Sequence, residues 1–187
     1  LLTWTATSEH AIHGSPSGLD AATTSADRPQ WFVKGQPPMP IQFPKNGTLV
    51  IADTGIPGQT KIAVGSVAKH LADHPKQTTA SIEAIGQATV FVAKALAEDD
   101  LLALGTQMNQ AQAQLQALGV SNAALDELIH TAKRHGALGA KLTGSGQGGC
   151  MIALAQTATQ AGQIRQALTQ AGATATWQYD FGDERTN

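Results

Sequence analysis

The spacing of apolar and polar positions changes period several times along this chain, and each change predicts a different kind of element. Trp31-Phe32-Val33 reads as a short strand and Thr48-Leu49-Val50-Ile51-Ala52 as a buried one. Between them, Pro37-Pro38-Met39-Pro40 marks a loop and Asn46-Gly47 a turn. After Asp53-Thr54-Gly55 the period becomes helical for about 80 residues, with helices predicted near 60–73, 78–97, 99–117 and 121–135. In the first, Ile62, Val64, Val67, Ala68 and Leu71 recur at three- and four-residue steps and form the expected apolar face. In the fourth, Leu125, Leu128, Ile129 and Ala132 share a face, and Ser121 is placed to cap. His74-Pro75 and Leu118-Gly119 separate neighbouring helices. Ala140 to Thr143 and Cys150 to Leu154 read as strands, 157–171 as a helix ended by Gly172, and Thr174 to Tyr179 as a last strand. Upstream, Pro16 bars helix across Gly14 to Asp20, and Asp20-Ala21-Ala22 opens a short helix. Strands, a run of helices, two strands, a helix and a strand, in that order, predict an α+β fold whose antiparallel sheet is covered by helices.

Composition narrows this picture. At 187 residues, 42% hydrophobic and 14% charged, the chain can bury a sizeable core and is not a disordered segment. Ala88 to Leu96, among the longest apolar stretches, is broken by Thr89 and Lys94. A run of about 18 apolar residues is missing, so a soluble chain without a membrane partner is expected. The net charge is −2 with no basic stripe, which argues against a dedicated nucleic-acid or anionic-membrane face. Cys150 is the single cysteine, so no internal disulfide forms, and no Cys/His pair has zinc-finger spacing. A reducing cytoplasm fits this usage, and the N-terminus carries no signal-peptide pattern. The opening Leu1-Leu2-Thr3-Trp4 reads like the interior of a longer chain, so a processed chain or a fragment is expected.

Three stretches carry candidate chemistry. Lys141-Leu142-Thr143-Gly144-Ser145-Gly146-Gln147-Gly148-Gly149-Cys150 places four glycines in six positions between two strand-like segments. Such a loop either gathers amide N–H groups into an anion-binding nest or is a glycine-rich hairpin with no ligand. It is not a Walker A loop, because no Lys-Ser/Thr follows its last glycine, and it lacks the helix a dinucleotide fingerprint requires. Lys141 is expected at a sheet edge or on the surface, and Cys150 as a packed core thiol. Glu9 and Asp20 flank the turn Ile12-His13-Gly14-Ser15-Pro16-Ser17-Gly18. Two carboxylates on a tight turn suit Mg²⁺ or proton transfer at a hydroxyl, while a lone Glu and a helix-capping Asp are equally ordinary structural features. Asp53-Thr54-Gly55 after a buried strand reads as an Asx or ST turn, or as a polar loop at a strand end where substrates bind. An aspartic-protease reading would need a second such motif or a homodimer, and neither the long helices nor the other glycine motif suits it.

Taken in order, these stretches resemble one family. Glu9…Ile12-His13-Gly14-Ser15-Pro16-Ser17-Gly18-Leu19-Asp20 resembles the E…IHGNPSG(I/V/L)D segment of mevalonate kinases, within the GHMP small-molecule kinases. Lys141 to Cys150 resembles their third motif, KLTGAGGGGC, and Asp53-Thr54-Gly55…Gln59-Thr60-Lys61 resembles their DTG…ST(K/R) stretch. The match runs from Glu9 to about the last strand.

The resemblance implies a ferredoxin-like α+β C-terminal domain with additional helices and an antiparallel sheet, over residues 26–187. Residues 1–25 would be the end of the N-terminal domain, carrying the turn with the catalytic Asp. It implies an ATP- and Mg²⁺-dependent transfer of phosphate to the primary hydroxyl of mevalonate, giving 5-phosphomevalonate. Asp20 would be the catalytic base and Glu9 a Mg²⁺ ligand, with His13 and Thr60 beside the substrate. Gly144, Ser145, Gly146, Gly148 and Gly149 would support the phosphate loop.

Ser15 departs from the usual Asn, Ser145 from Ala and Gln147 from Gly. A side chain at position 147 costs roughly 1 kcal/mol if the backbone there needs positive φ. The family's Gly/Ser-rich phosphate loop, P-x-x-x-G-L-G-S-S-A, and the lysine thought to pair with the catalytic Asp do not occur in these 187 residues. The chain by itself is therefore expected to be catalytically incomplete. Another GHMP kinase, acting on phosphomevalonate, homoserine or a sugar, is the nearest alternative. A non-catalytic kinase-derived domain, pairing through helices 78–97 and 99–117, is the alternative of another class, and a homodimer is allowed by either reading.

Overall fold

Thr48, Val50 and Ala52 are buried on one face of strand β3 (Thr48–Asp53), while Leu49, Ile51 and Asp53 on the other are half-buried. That two-residue alternation is the mark of a strand with one face against a core. The computed structural model describes residues 18–42 and 44–182, which belong to two compact units divided at Phe43/Pro44. In the first, α1 (Leu19–Thr24) is a short helix, and β1 (Gln30–Trp31) pairs antiparallel with β2 (Met39–Pro40). The strand expected at 31–33 is thus shorter and one residue earlier.

The second unit, Pro44–Gly182, holds the remaining elements: β3, α2 (Thr60–Asp73), α3 (Pro75–Ala97), α4 (Leu101–Ala117) and α5 (Ala123–Arg134). Then follow β4 (Gly139–Leu142), β5 (Cys150–Ala155), α6 (Ala158–Gln170) and β6 (Ala175–Asp180). The predicted elements recur with boundaries moved by three residues or fewer. α3 starts at Pro75 rather than 78 because proline suits the first turn of a helix, where its missing N–H has no partner to lose.

The four strands lie in the order β4-β5-β3-β6, and each adjacent pair is antiparallel. Numbered by their own sequence order this is 2-3-1-4, the ferredoxin-like arrangement, with α2, α3 and α4 added before the last helix of the first crossover. α5 and α6 pack on one face of the sheet. Their Leu125, Leu128, Ile129, Ala132, Ala161, Ile164 and Leu168 meet Val50, Ala52, Met151 and Ala153 in one core. All four residues expected on the inner face of α5 are buried there.

The first added helix reverses its expected face. In α2 the buried residue is Ala63, whereas Ile62, Val64 and Leu71 are exposed and Val67 only half-buried. α3 behaves alike: it buries Thr78, Ser81, Ala88, Ala95 and Leu96 and leaves Ile82 and Val90 outward, with Phe91 exposed beside α4. α3 is long and apolar enough, by length and composition, to span a membrane, although Thr89 and Lys94 interrupt its apolar run. In this fold it packs along α4 and α2.

α4 closes one edge of the sheet. Asn109 donates through Nδ2 to the Leu138 carbonyl (3.1 Å) and accepts from the Ala140 N–H (3.2 Å). Gln112 accepts from the Leu142 N–H (2.9 Å). Two amide side chains therefore bond alternate residues of the β4 edge, which would otherwise offer unpaired groups to another chain. The backbones touch there: a Cβ on Gly139 would lie 2.2 Å from the Gly105 carbonyl oxygen, so side chains at this crossing would hold α4 away.

Candidate functional site

β3 and β5 pair Asp53 with Cys150, and the pairing continues one step further into the loops. The Thr54 N–H donates to the Gly149 carbonyl (3.0 Å), and the Thr54 hydroxyl donates to the same oxygen (2.8 Å). In return the Gly149 N–H donates to the Ile56 carbonyl (2.7 Å). The Gly55 N–H donates to Asp53 Oδ1 (2.9 Å), which closes an Asx turn, and the Ile56 N–H to Thr54 Oγ1 (3.3 Å), which closes an ST turn. Both structural readings of Asp53-Thr54-Gly55 hold, and Thr54 also anchors the glycine loop.

That loop, 143–149, is wedged between two neighbours. On one side Gly148 lies against the 56–57 backbone, where an added Cβ would sit 2.6 Å from the Ile56 carbonyl oxygen. On the other, Gly146 abuts the α4–α5 connection, where an added Cβ would sit 2.0 Å from the Val120 carbonyl oxygen. Both have positive φ, so glycine is required twice over, by space and by backbone angle. The Gln147 N–H donates to the Val120 carbonyl (2.8 Å). The inward bonds of the Gln147 and Gly149 amides mean that 147–149 do not form the nest of consecutive outward N–H groups that the glycine content suggested.

Gln147 itself has φ of +56°, so the strain anticipated for a side chain at this position is present. Its side chain answers that strain. Nε2 donates to the Gly119 carbonyl (2.7 Å) and reaches the Ser121 carbonyl (3.3 Å). Ser121 donates to Asp126 Oδ1 (2.6 Å), which also accepts from Gln116 Nε2 (2.8 Å). Buried Gln112 joins Ser121 to the Leu142 N–H on β4. Ser121 is not the helix cap that the pattern suggested; Asn122 caps α5 by accepting from the Leu125 N–H (2.9 Å).

Of the residues expected in a site, Gly144, Ser145, Gly146, Gly148 and Gly149 share this loop. A Cβ on Gly58 would lie 3.5 Å from Ser145 Oγ, so Ser145 stands beside the segment that leads into α2. Thr60 is the first residue of α2, and it is exposed. The loop and Thr60 therefore lie at the same end of the second unit. Glu9 and His13 lie outside the described residues. Asp20 is on α1 in the first unit, and its side chain also lies outside what is described. Among the described residues no group of three or more His, Cys, Asp or Glu is placed to hold a metal ion. A groove of about 370 Å³ between α3 and α4, lined by Gln87, Gln107, Gln110, Gln114, Ala88 and Phe91 among others, includes none of the expected site residues.

Two residues border the loop. Lys141 is on the edge strand, the first of the two places expected of it, and is half-buried there. It pairs in register with Ile152, which pairs with Ile51, which pairs with Trp177, so its ammonium sits on an apolar row. Desolvation there holds its pKa below the usual lysine value, and Nζ donates to the Leu142 carbonyl. Cys150 is half-buried at the end of β5 rather than a core thiol. Burial, and then the charge of Asp53 across the strand pair, push its pKa up.

The glycine loop and the strands β4 and β5 on either side of it lie within the stretch that matches a described family. Residues 92–174 match the model of the family "GHMP kinases C terminal". They form a GHMP kinase C-terminal domain. Among curated relatives, a mevalonate kinase from Pyrococcus horikoshii is 36% identical over 154 residues, covering 79% of this chain and 45% of that protein. One from Mus musculus is 30% identical over 179 residues, covering 90% and 45%. The L. major mevalonate kinase solved with R-mevalonate superimposes with a TM-score of 0.81 at 31% identity, covering 92% of this chain and 54% of that one. The chain spans about half the length of the curated relatives it matches. The GHMP domain assignment agrees with the mixed helices and antiparallel sheet, in which the glycine loop lies between β4 and β5. Sequence reasoning missed Gly119, Val120, Asn109 and Gln112, the partners that hold the loop and the sheet edge. Only Leu118-Gly119 carried a signal, and that was a helix boundary.

Proposed function

We propose that the full-length protein is a mevalonate kinase, transferring the γ-phosphate of ATP to the primary hydroxyl of mevalonate to give 5-phosphomevalonate and ADP. The observation that carries this reading is the 31% identity, over 92% of the chain, to an enzyme solved with R-mevalonate. The order of the three motifs agrees with it. Residues 1–25 end the N-terminal domain and 26–187 form the C-terminal one.

Asp20 accepts or orients the hydroxyl proton, which must leave as the new O–P bond forms. His13 and Thr60 bind the acceptor. The loop of Gly144, Ser145, Gly146, Gly148 and Gly149 shapes the floor beside the nucleotide phosphates. Glu9, a hard oxygen donor, and the phosphate oxygens fit Mg²⁺, which takes few protein ligands and keeps several waters. When bound, that ion would neutralise charge on the phosphates. The protein works in the cytoplasm, and the outward apolar residues of α2 and α3 support pairing into a homodimer.

Phosphomevalonate and homoserine kinases also superimpose, at 16% and 20% identity, which speaks for the fold alone. A phosphorylated acceptor would call for additional cations, and the chain has only 12 Lys plus Arg. The test is an acceptor panel of mevalonate, phosphomevalonate, homoserine and a hexose, with the full-length protein, ATP and Mg²⁺. Mevalonate is expected to lead, and Asp20→Ala to lower turnover by roughly three orders of magnitude or more with folding intact. Preference for a phosphorylated acceptor overturns the substrate, and unchanged turnover in Asp20→Ala overturns the role of that carboxylate. The 187-residue chain alone is expected to show no phosphoryl transfer.

A further inference from the structure

We infer that Gln147 is a positioning residue for phosphoryl transfer, a side-chain staple that sets the height of the glycine loop against the α4–α5 connection. The inference rests on the kinase reading above. It starts from a local conflict: a non-glycine residue held at φ +56° in the middle of a glycine loop. Single residues in this region cost free energy and persist only where their surroundings over-determine them. Here the surroundings are three carbonyls of one short segment, Gly119, Val120 and Ser121, gripped by the backbone N–H and the side-chain amide of Gln147 together.

The grip is asymmetric. The far end of the loop is tied to 54–56 by backbone bonds that continue the β3–β5 ladder and by the Thr54 hydroxyl, none of which uses the Gln147 side chain. The near side is held to the α4–α5 connection by one backbone bond, Gln147 N–H to the Val120 carbonyl, and by two bonds of a single side chain. Glycine at 147 would relieve the backbone and release the staple, so stability and loop position are separable at this residue. Through Ser121, Asp126 and Gln112 the staple continues into α4, α5 and the β4 edge. The loop is thereby referenced to the core, while Ser145 and the Gly146 carbonyl stand beside Gly58 in the segment that enters α2.

Three variants of the full-length protein test this. Gln147→Gly is expected to keep the urea midpoint while amide exchange of 144–147 quickens about tenfold and that of Gly149, bonded to Ile56, stays unchanged. Its kcat is expected to fall about tenfold, with the KM for mevalonate within about twofold of wild type, since misplaced catalytic geometry acts on the transition state. Gln147→Glu puts a carboxylate against two carbonyl oxygens, and only the protonated form donates. Its kcat relative to wild type is therefore expected to rise as pH falls toward the carboxyl range, a titration a purely structural role would not introduce. Gln147→Asn, which keeps the amide on a shorter arm, is expected to be intermediate. Wild-type exchange in Gln147→Gly overturns the staple whatever the enzyme does. Quickened exchange with wild-type kcat overturns its role in transfer. A wild-type protein that phosphorylates no acceptor fails the kinase reading instead, and the exchange arm still decides the staple.

Discussion

The two halves of the helical layer obey opposite rules. α5 and α6 bury Leu125, Leu128, Ile129, Ile164 and Leu168 against the sheet. α2 and α3 turn Ile62, Val64, Ile82 and Val90 outward and pack through Ala63, Thr78, Ser81 and Ala88. Both halves contain good amphipathic helices, so periodicity alone does not say which side faces in. A sheet offers a broad apolar surface that large side chains fill. A helix approaching another helix at short range selects small residues, and the larger ones are left on the far side. The difference teaches that burial follows the shape of the partner as much as the hydrophobicity of the residue.

The contrast can be broken by experiment. Leu125→Ala, fully buried under the sheet, is expected to lose about 2–5 kcal/mol in urea unfolding. A loss under about 1 kcal/mol would mean that the sheet-facing half is not the main source of stability. Thr78→Ala removes a buried hydroxyl that bonds the His74 carbonyl at 2.9 Å and should cost about 1 kcal/mol. Ile82→Ser and Val90→Ser, on the outer face of α3, are expected to stay within about 0.5 kcal/mol of wild type for the isolated chain. A cost near that of Leu125→Ala would show that this face is covered in solution. The smallest effect belongs to Lys141. Its folded pKa is lowered, so between that value and the unfolded 10.5 the unfolded chain binds more protons, and stability rises with pH across that window. Lys141→Met should flatten the rise and leave the protein no less stable at neutral pH, read from unfolding curves between pH 7 and about 10.5.

Much of the fold was legible in the chain. The strand β3, the helix α5 with its inner face, and the turns at Asn46-Gly47 and Leu118-Gly119 follow from local period and local turn chemistry. The glycine loop was legible as an element that needs unusual backbone angles, and Asp53-Thr54-Gly55 as a pair of turns. What held the loop was not legible. Val120 and Gly119 carry no side-chain chemistry that would single them out, because they act through carbonyl oxygens that every residue possesses. Lys141 read as a sheet-edge or surface lysine, and the edge held, but its burial was not legible; Ile152, its partner across the strand pair, is eleven residues away and reaches it only through strand register.

The sequence by itself determined the order and kind of the elements, the positions where only glycine fits, and the motifs that point to a phosphate-handling family. These depend on backbone preference and side-chain chemistry within a few residues. The tertiary structure alone decided which face of α2 and α3 turns inward. It also decided that α4 seals the β4 edge through Asn109 and Gln112, and that Gln147 turns a strained position into a tether. Each of those outcomes rests on what lies opposite a residue in space, and local sequence carries no record of that.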